Sequence, residues 1–487
     1  MDHALNAAER ATERADERLL SGPLALEVAR FGAPLALGMG LQTAFNLVDA
    51  YLIGHLDAGV AGAALGAVGI CDQLAALGTI VSYGLTTATA AMVSRRHGEG
   101  DKAGVERAAW QSLYLVLGLS LVFALGGLLG AGALVRGAIG AKGMVATLGT
   151  RYLRVMMAGS FSIFLLLHLT SLARALGSSK TPVLVLVAAN ALNFLLAVLM
   201  VYGPGQAPAI FGWGPPLARL LHVPRLGLMG AAWATLLARF VALGPALWLL
   251  VGRFSLLRPS AHARFDRALA RDIVKLGWPS SAQLVARIAA MLLVQTLVAR
   301  AFTTDTDQSA TTALGIVFRL ETMAFFVGLG WGSAAQTFIG VNLGAKHAER
   351  AKRSGYFAAL YNAVMMGTLA LVYVVFGSTI VAWFDADRHV VDLSLTYFRW
   401  VGPSYLGLGV GIVLGSAMQG AGATKLAFYL DAAVILLLQV PASLVVGFAH
   451  GASFEHLCMV VAATYVAFAV VYVLGYRGGR FLKARPV

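Results

Sequence analysis

Charge is scarce in this chain of 487 residues: Asp, Glu, Lys and Arg together make up 12%, against 59% hydrophobic residues. Soluble domains carry about twice that charged fraction, which excludes a water-soluble globule. Cysteine is scarcer still. Cys71 and Cys458 both sit in apolar runs, which excludes a disulfide framework and a cysteine-built metal centre and leaves two small core residues. The period-two alternation of a transmembrane barrel is missing. No HExxH occurs, and the acids within apolar runs (Asp49, Asp72, Glu321, Asp431) share no motif, so an intramembrane enzyme has little to build on. The charged first 28 residues (with AAERATERADER) contain no apolar stretch ahead of a cleavage site, so they read as a helical tail, not a signal peptide.

What remains is long hydrophobic runs, with a mean hydropathy of +0.76. Runs of that length are transmembrane helices. Twelve are expected, beginning near Val28, Gly62, Val105, Leu148, Pro182, Leu228, Ile273, Thr312, Tyr356, Val391, Thr424 and Phe454. The fold class is therefore an all-α membrane protein. An even number of spans puts both termini on one side. That side then carries 25 of the 37 Lys and Arg residues, and the opposite loops carry 8. The bias predicts cytoplasmic termini. It also accounts for the net charge of +14 without nucleic acid as a partner: clusters such as SRRHGEGDK and GAKHAERAKR are topology anchors.

The chain repeats itself. Glu106-Arg107-Ala108 recurs as Glu349-Arg350-Ala351, Gly177 as Gly420 and Thr181 as Thr424, each 243 residues on. Two six-span lobes of the same orientation follow, related by a pseudo-twofold axis along the membrane normal. The expected organisation is a tail (1–28), an N-lobe (29–252), a cytoplasmic linker (253–272), a C-lobe (273–476) and a second tail (477–487). The cleft between such lobes is where a substrate sits, near the bilayer midplane.

One acid stands out. Asp49 lies inside the first span, where an ionised carboxylate costs roughly 2.5–3.5 kcal/mol on insertion scales. Gln42, Phe45 and Asn46 precede it by seven, four and three residues, which places them on its face of the helix. Pro34, fifteen residues earlier, removes a backbone donor and lets the helix bend. A proton or cation site on a bendable helix is the functional reading; a structural ion pair is the bland one. Elsewhere, Gln283, Arg287 and Glu321 are candidate cavity residues, with a structural Arg287–Glu321 pair at least as expected as a substrate site. Asp72 and Asp431 read as interface or cap residues about two turns from their span ends, and His168 as a packed residue.

These landmarks resemble the multidrug-and-toxin-extrusion (MATE) family of cation-coupled antiporters. The resemblance rests on FNLVDAYLIGHL in the first span, ARALGSSKTP before the fifth and ANALNFLL within it. It continues through GLMGAAWAT entering the sixth span, KLGWP entering the seventh and AAQTFIGVNLGAKHAERAKR after the eighth. It implies a V of two six-helix lobes in the inner membrane that exchanges inward H⁺ or Na⁺ for outward organic, often cationic, compounds. Residue by residue, Asp49 matches the first-span acid of the family's N-lobe cation site and Pro34 its first-span proline. Asn193 matches an asparagine beside that acid, and Thr235 a sixth-span threonine of the same network. The chain also departs from the pattern. A second acid found four residues after the asparagine is Ala197 here, and a tyrosine four before the first-span acid is Phe45. Where some members hold C-lobe sodium with a glutamate and an aspartate, this chain has Arg287 and, near the second position, Leu408.

Sodium wants several hard, preferably anionic, oxygens, whereas a proton needs only one base. A buried carboxyl favours its neutral form and one opened to water its ionised form, so protonation couples to conformation. The expectation is an antiporter driven by H⁺ in preference to Na⁺, without a cofactor, that acts on small organic substrates as a monomer in the bilayer. The alternatives are a flippase of lipid-linked precursors, which wants several cavity-lining cations, and a channel, which wants repeated filter-like loops absent from this sequence.

Overall fold

The computed structural model describes residues 17–258, 260–304, 307–449 and 451–484, apart from the side chains of residues 46, 47, 58, 73 and 261. The described chain is helical throughout. Eleven helices are long and apolar enough to cross a membrane. In the N-lobe they are Leu24–Gly54, Ala58–Gly98, Lys102–Ala138, Lys180–Tyr202 and Leu228–Arg253. In the C-lobe they are Arg267–Ala301, Ser309–Gly344, Ala348–Ala382, Arg388–Gly420, Thr424–Phe448 and Phe454–Arg477. The twelfth is a bent pair, Gly143–Ala158 and Ser160–Ala175, joined at 44° and fourth in chain order. The expected span starts fall within several residues of these. The largest difference is at the ninth span, which begins at Ala348; the second begins at Ala58. Asp72 is therefore four turns deep, about 21 Å from the helix start, and not at a cap.

The repeat is visible in the breaks. The fourth span bends at Gly159, and the tenth is interrupted by a 3₁₀ turn at Gly402–Ser404, again 243 residues on. The glycine pairing needs one correction. The left-handed residues that end these spans are Gly177 (φ +84°) and Gly422 (φ +88°). Gly422, not Gly420, is thus the conformational counterpart of Gly177. Gly420 stays helical and lets its span approach the backbone of Gln336.

The lobes meet along a seam built from small residues and carbonyls. Gly84 of the second span and Gly277 of the seventh touch backbone to backbone, so a Cβ on either would collide. Gly340 and Gly344 of the eighth span lie against Ser94 and Arg95. Gln336 donates to the Thr87 carbonyl (2.9 Å), Ser281 to that of Ile80 (3.0 Å) and Thr337 to that of Arg174 (3.2 Å). The start of the first span joins the same closure: Gly32 packs on Trp331, Ala36 meets Gly330, and Tyr361 donates to the Ala25 carbonyl (3.1 Å). Among the described residues, every interlobe side-chain hydrogen bond lies between the middle of the molecule and the end that carries residues 17 and 484. The lobes are tied together at that end. The linker is fastened to the third span: Gln111 donates to the Arg264 carbonyl (2.7 Å) and accepts from the Asp266 amide (2.9 Å), and Tyr114 donates to the Ala263 carbonyl (2.5 Å). It contains a 3₁₀ turn, Ala261–Ala263.

Candidate functional site

In the N-lobe the first and fifth spans bring Asp49 and Asn193 together. The Asn193 side-chain amide donates to both carboxylate oxygens, at 3.0 and 3.2 Å. Two turns further along the fifth span, Tyr202 donates to the Leu52 carbonyl (2.9 Å) and fixes the register of the two helices. Asp49 is half-buried and Asn193 is buried. The Asn193 carbonyl oxygen has no partner among the described residues. A buried acceptor beside a carboxylate suits a proton donor or a cation.

Two further charges bear on this pair: Asp72, which the sequence reads as an interface or cap residue, and Arg239, which it leaves unassigned. Arg239 of the sixth span acts electrostatically on Asp49, and Asp72 of the second span on both. Two carboxylates and one guanidinium leave a single residual negative charge when all are ionised. Arg239 was legible as an arginine within a span, but its partner was not, because the sixth, first and second spans are brought together only by the fold. Thr235 lies half-buried one turn before Arg239; it makes no hydrogen bond to Asp49 or Asn193 among the described residues. Gln42 and Phe45 are half-buried on the first span, and the Asn46 side chain lies outside the described residues. Pro34 sits inside an unbroken helix, between the Gly32–Trp331 and Ala36–Gly330 contacts. A bend there would act directly on the interlobe seam.

The C-lobe corrects an expectation. Arg287 does not meet Glu321. It pairs with Asp431 of the eleventh span through Nε and, at 3.0 Å, through Nη2, and stacks 5.4 Å above the Phe468 ring. Asp431 is fully buried and also accepts from Tyr472 (2.6 Å). Gln283 donates to Tyr472 (2.8 Å) and accepts from Gln419 (2.7 Å). The seventh and eleventh spans satisfy this acid with a fixed charge, so no soluble cation is needed there. Glu321 instead accepts hydrogen bonds from Tyr397, Tyr405 and Tyr465. A search for charged partners could not have found this tyrosine set. Arg287 and Gln283 line a pocket with Phe325, Leu329 and Gln419, to which Tyr83 contributes from the N-lobe. His168 is packed as expected, fully buried, with Nε2 3.0 Å from the Ser112 hydroxyl. Both cysteines are buried and free.

Two six-span lobes, an interlobe seam closed at one end and charged side chains at mid-span define a multi-pass membrane transporter. The MatE family model matches residues 34–199 and 287–445, and the chain belongs to that family of multidrug efflux transporters, not to the enzymes. Its relatives include the probable multidrug resistance protein YpnP of Bacillus subtilis, 25% identical over 86% of this chain and 88% of that one. A protein named FAD transporter from Shewanella oneidensis is 25% identical over 87% and 88%. Among solved structures, a MOP-superfamily transporter from Pyrococcus furiosus, described as having a binding pocket of reverse polarity, matches with a TM-score of 0.83 at 22% identity, covering 96% of this chain and 98% of that one. An outward-facing MATE multidrug transporter matches at 0.82 and 22%, covering 95% and 96%.

Proposed function

We propose that this chain is an antiporter of the plasma (inner) membrane, with both termini cytoplasmic, that exports organic cationic or amphipathic compounds in exchange for protons, with Asp49 as the coupling carboxyl. The observation that carries this reading is the Asp49–Asn193 pair: a carboxylate inside a span, held by a neutral amide, with an unpartnered acceptor beside it. An amide orients the acid without fixing its charge. Arg239 favours H⁺ over Na⁺, because a metal ion near a guanidinium meets repulsion, whereas a proton merely neutralises Asp49. One chain supplies both walls of the cleft, so the monomer suffices.

The cycle follows from linkage. Facing outward, Asp49 takes a proton and loses its attraction for a cationic group. The first span bends at Pro34, the cleft shrinks and substrate leaves. Facing inward, the proton escapes and substrate enters. Efflux from inverted vesicles driven separately by a pH gradient and a sodium gradient tests the assignment. The pH gradient alone is expected to sustain transport; transport by sodium alone would overturn H⁺ coupling.

A further inference from the structure

The connection between the fifth and sixth spans, Gly203 to Gly227, does not stand off into water. Gly203 and Gly227 turn the chain back at its two ends, with positive φ (+54° and +55°) that glycine adopts without strain. The returning chain is pinned. The Leu226 amide donates to the Met200 carbonyl (2.8 Å) and the Gly227 amide to that of Val201 (3.2 Å). Arg225 donates through Nη2 to both oxygens of Asp57 (3.0 Å). Between these fixings the chain dips alongside the spans. The Phe211 ring, 6% exposed, packs 5.8 Å from that of Phe194 and 6.0 Å from that of Tyr51. Trp213 packs 6.3 Å from Phe194, and Gly214 lies against Val198. Tyr51 lies two residues after Asp49, roughly 200° around the first span. Phe211 therefore sits in the outer groove of the first and fifth spans, away from the acid.

Depth decides what surrounds this segment. The fifth span has 23 residues and ends at Tyr202. That is about 35 Å of helix, against a hydrocarbon core of about 30 Å. Val198 and Phe194 lie about 6 and 12 Å below its end, so the chain packed on them is inside the bilayer. Its outer face is apolar. Ile210 and Leu220 are 71% and 73% exposed, and Trp213 and Leu221 are exposed as well. Trp213, Pro216 and Leu220 share one stripe along the short helix Gly214–Leu220, whose residues Gly214, Pro215 and Ala218 are buried on the other side. No acid occurs from Gly203 to Gly227. Arg219 has no acidic partner among the described residues; its Nε donates to the Pro215 carbonyl (3.5 Å). Large apolar side chains exposed together mark a contact surface. A tryptophan with leucines, basic residues and no acid is the composition of a segment lying in a lipid interface.

We infer that residues 203–227 form a flap inserted into the outer leaflet, with Ile210, Trp213, Leu220 and Leu221 among the lipid chains and Arg219 on the phosphate of an anionic phospholipid. The flap seats lipid against the outer side of the two spans that carry Asp49 and Asn193. The choice of leaflet rests on the cytoplasmic termini proposed above; the depth of the flap does not, and it is read without transport.

Leu220→Cys, labelled with a fluorophore in the full chain and reconstituted into vesicles, reads that depth. Cys71 and Cys458 are buried, which keeps the labelling selective. Phosphatidylcholine bearing a nitroxide high on its acyl chain is expected to quench the label severalfold more than iodide present on both sides of the membrane. Stronger quenching by iodide, or protection from both quenchers by a covering protein, would overturn the flap. Should Leu220→Cys misfold, Ile210→Cys is read in the same way. For the headgroup, nitroxide-labelled phosphatidylglycerol should quench severalfold more than phosphatidylcholine carrying the same label, and Arg219→Gln should abolish the difference. Equal quenching by the two lipids with Arg219 intact would overturn the anionic contact. Efflux driven by sodium alone would overturn the proton-coupled reading and leave these depths unchanged.

Discussion

Each lobe holds a carboxylate within a span, and the two are partnered in opposite ways. Asp49 of the N-lobe is half-buried and held by the Asn193 amide. Asp431 of the C-lobe is fully buried and held by the Arg287 guanidinium and the Tyr472 hydroxyl. An amide fixes geometry and leaves charge free to change; a guanidinium within hydrogen-bond distance fixes both. The lobes are repeats of one plan, yet Asp49 is held by a neutral amide and Asp431 by a fixed charge. In the C-lobe, a side chain built into the seventh span supplies permanently the positive charge that a mobile ion would otherwise bring.

That contrast can be broken at several points. Asp49→Asn should have the largest effect, reducing proton-driven efflux in proteoliposomes by roughly a hundredfold or more. On the C-lobe side, Arg287→Ala leaves Asp431 as an uncompensated buried charge, which should cost about 3–5 kcal/mol of stability. Thermal unfolding in detergent reads this, and the double variant Arg287→Met/Asp431→Leu should recover most of the loss. An equal loss in both would mean that the pair does not act as a unit. Pro34→Ala restores the missing backbone donor and stiffens the hinge, so turnover should fall roughly tenfold, measured as initial efflux rate under saturating substrate. Asn193→Ala removes the amide from Asp49 and should weaken efflux by about the worth of a hydrogen bond to a charged group, 1.5–3 kcal/mol. Phe45→Tyr, which places a hydroxyl one turn before Asp49, should change initial rates least, by about threefold at most, the worth of a partly exposed neutral hydrogen bond.

Much of this was legible in the sequence, for identifiable reasons. Hydropathy alone locates the spans, because a bilayer demands about twenty apolar residues in a row. The repeat follows from Glu106/Glu349 and Thr181/Thr424. Asp49 declares itself because its cost in hydrocarbon is large, and Asn193 followed from the resemblance of ANALNFLL. What failed was pairing. Arg287 had two acids within reach of sequence reasoning, Glu321 one span away and Asp431 four spans away, and chain proximity favoured the wrong one. The seventh and eleventh spans pack side by side, with Trp278 against Phe428 and Arg287 against Asp431, which decides the matter. Arg239 and Asp72 were invisible as a set because their common neighbour is made only when the first, second and sixth spans close around it. The tyrosine set of Glu321 was missed because hydroxyls in an apolar run look like ordinary core residues.

The central claim is that one carboxyl, held by an amide, exchanges its proton for cargo. The direct test is proton release from purified protein in weakly buffered detergent solution when a saturating organic cation is added. The account predicts close to one proton released per chain for the wild type and none for Asp49→Asn. Equal release from the two proteins, or none from the wild type despite binding, would contradict it.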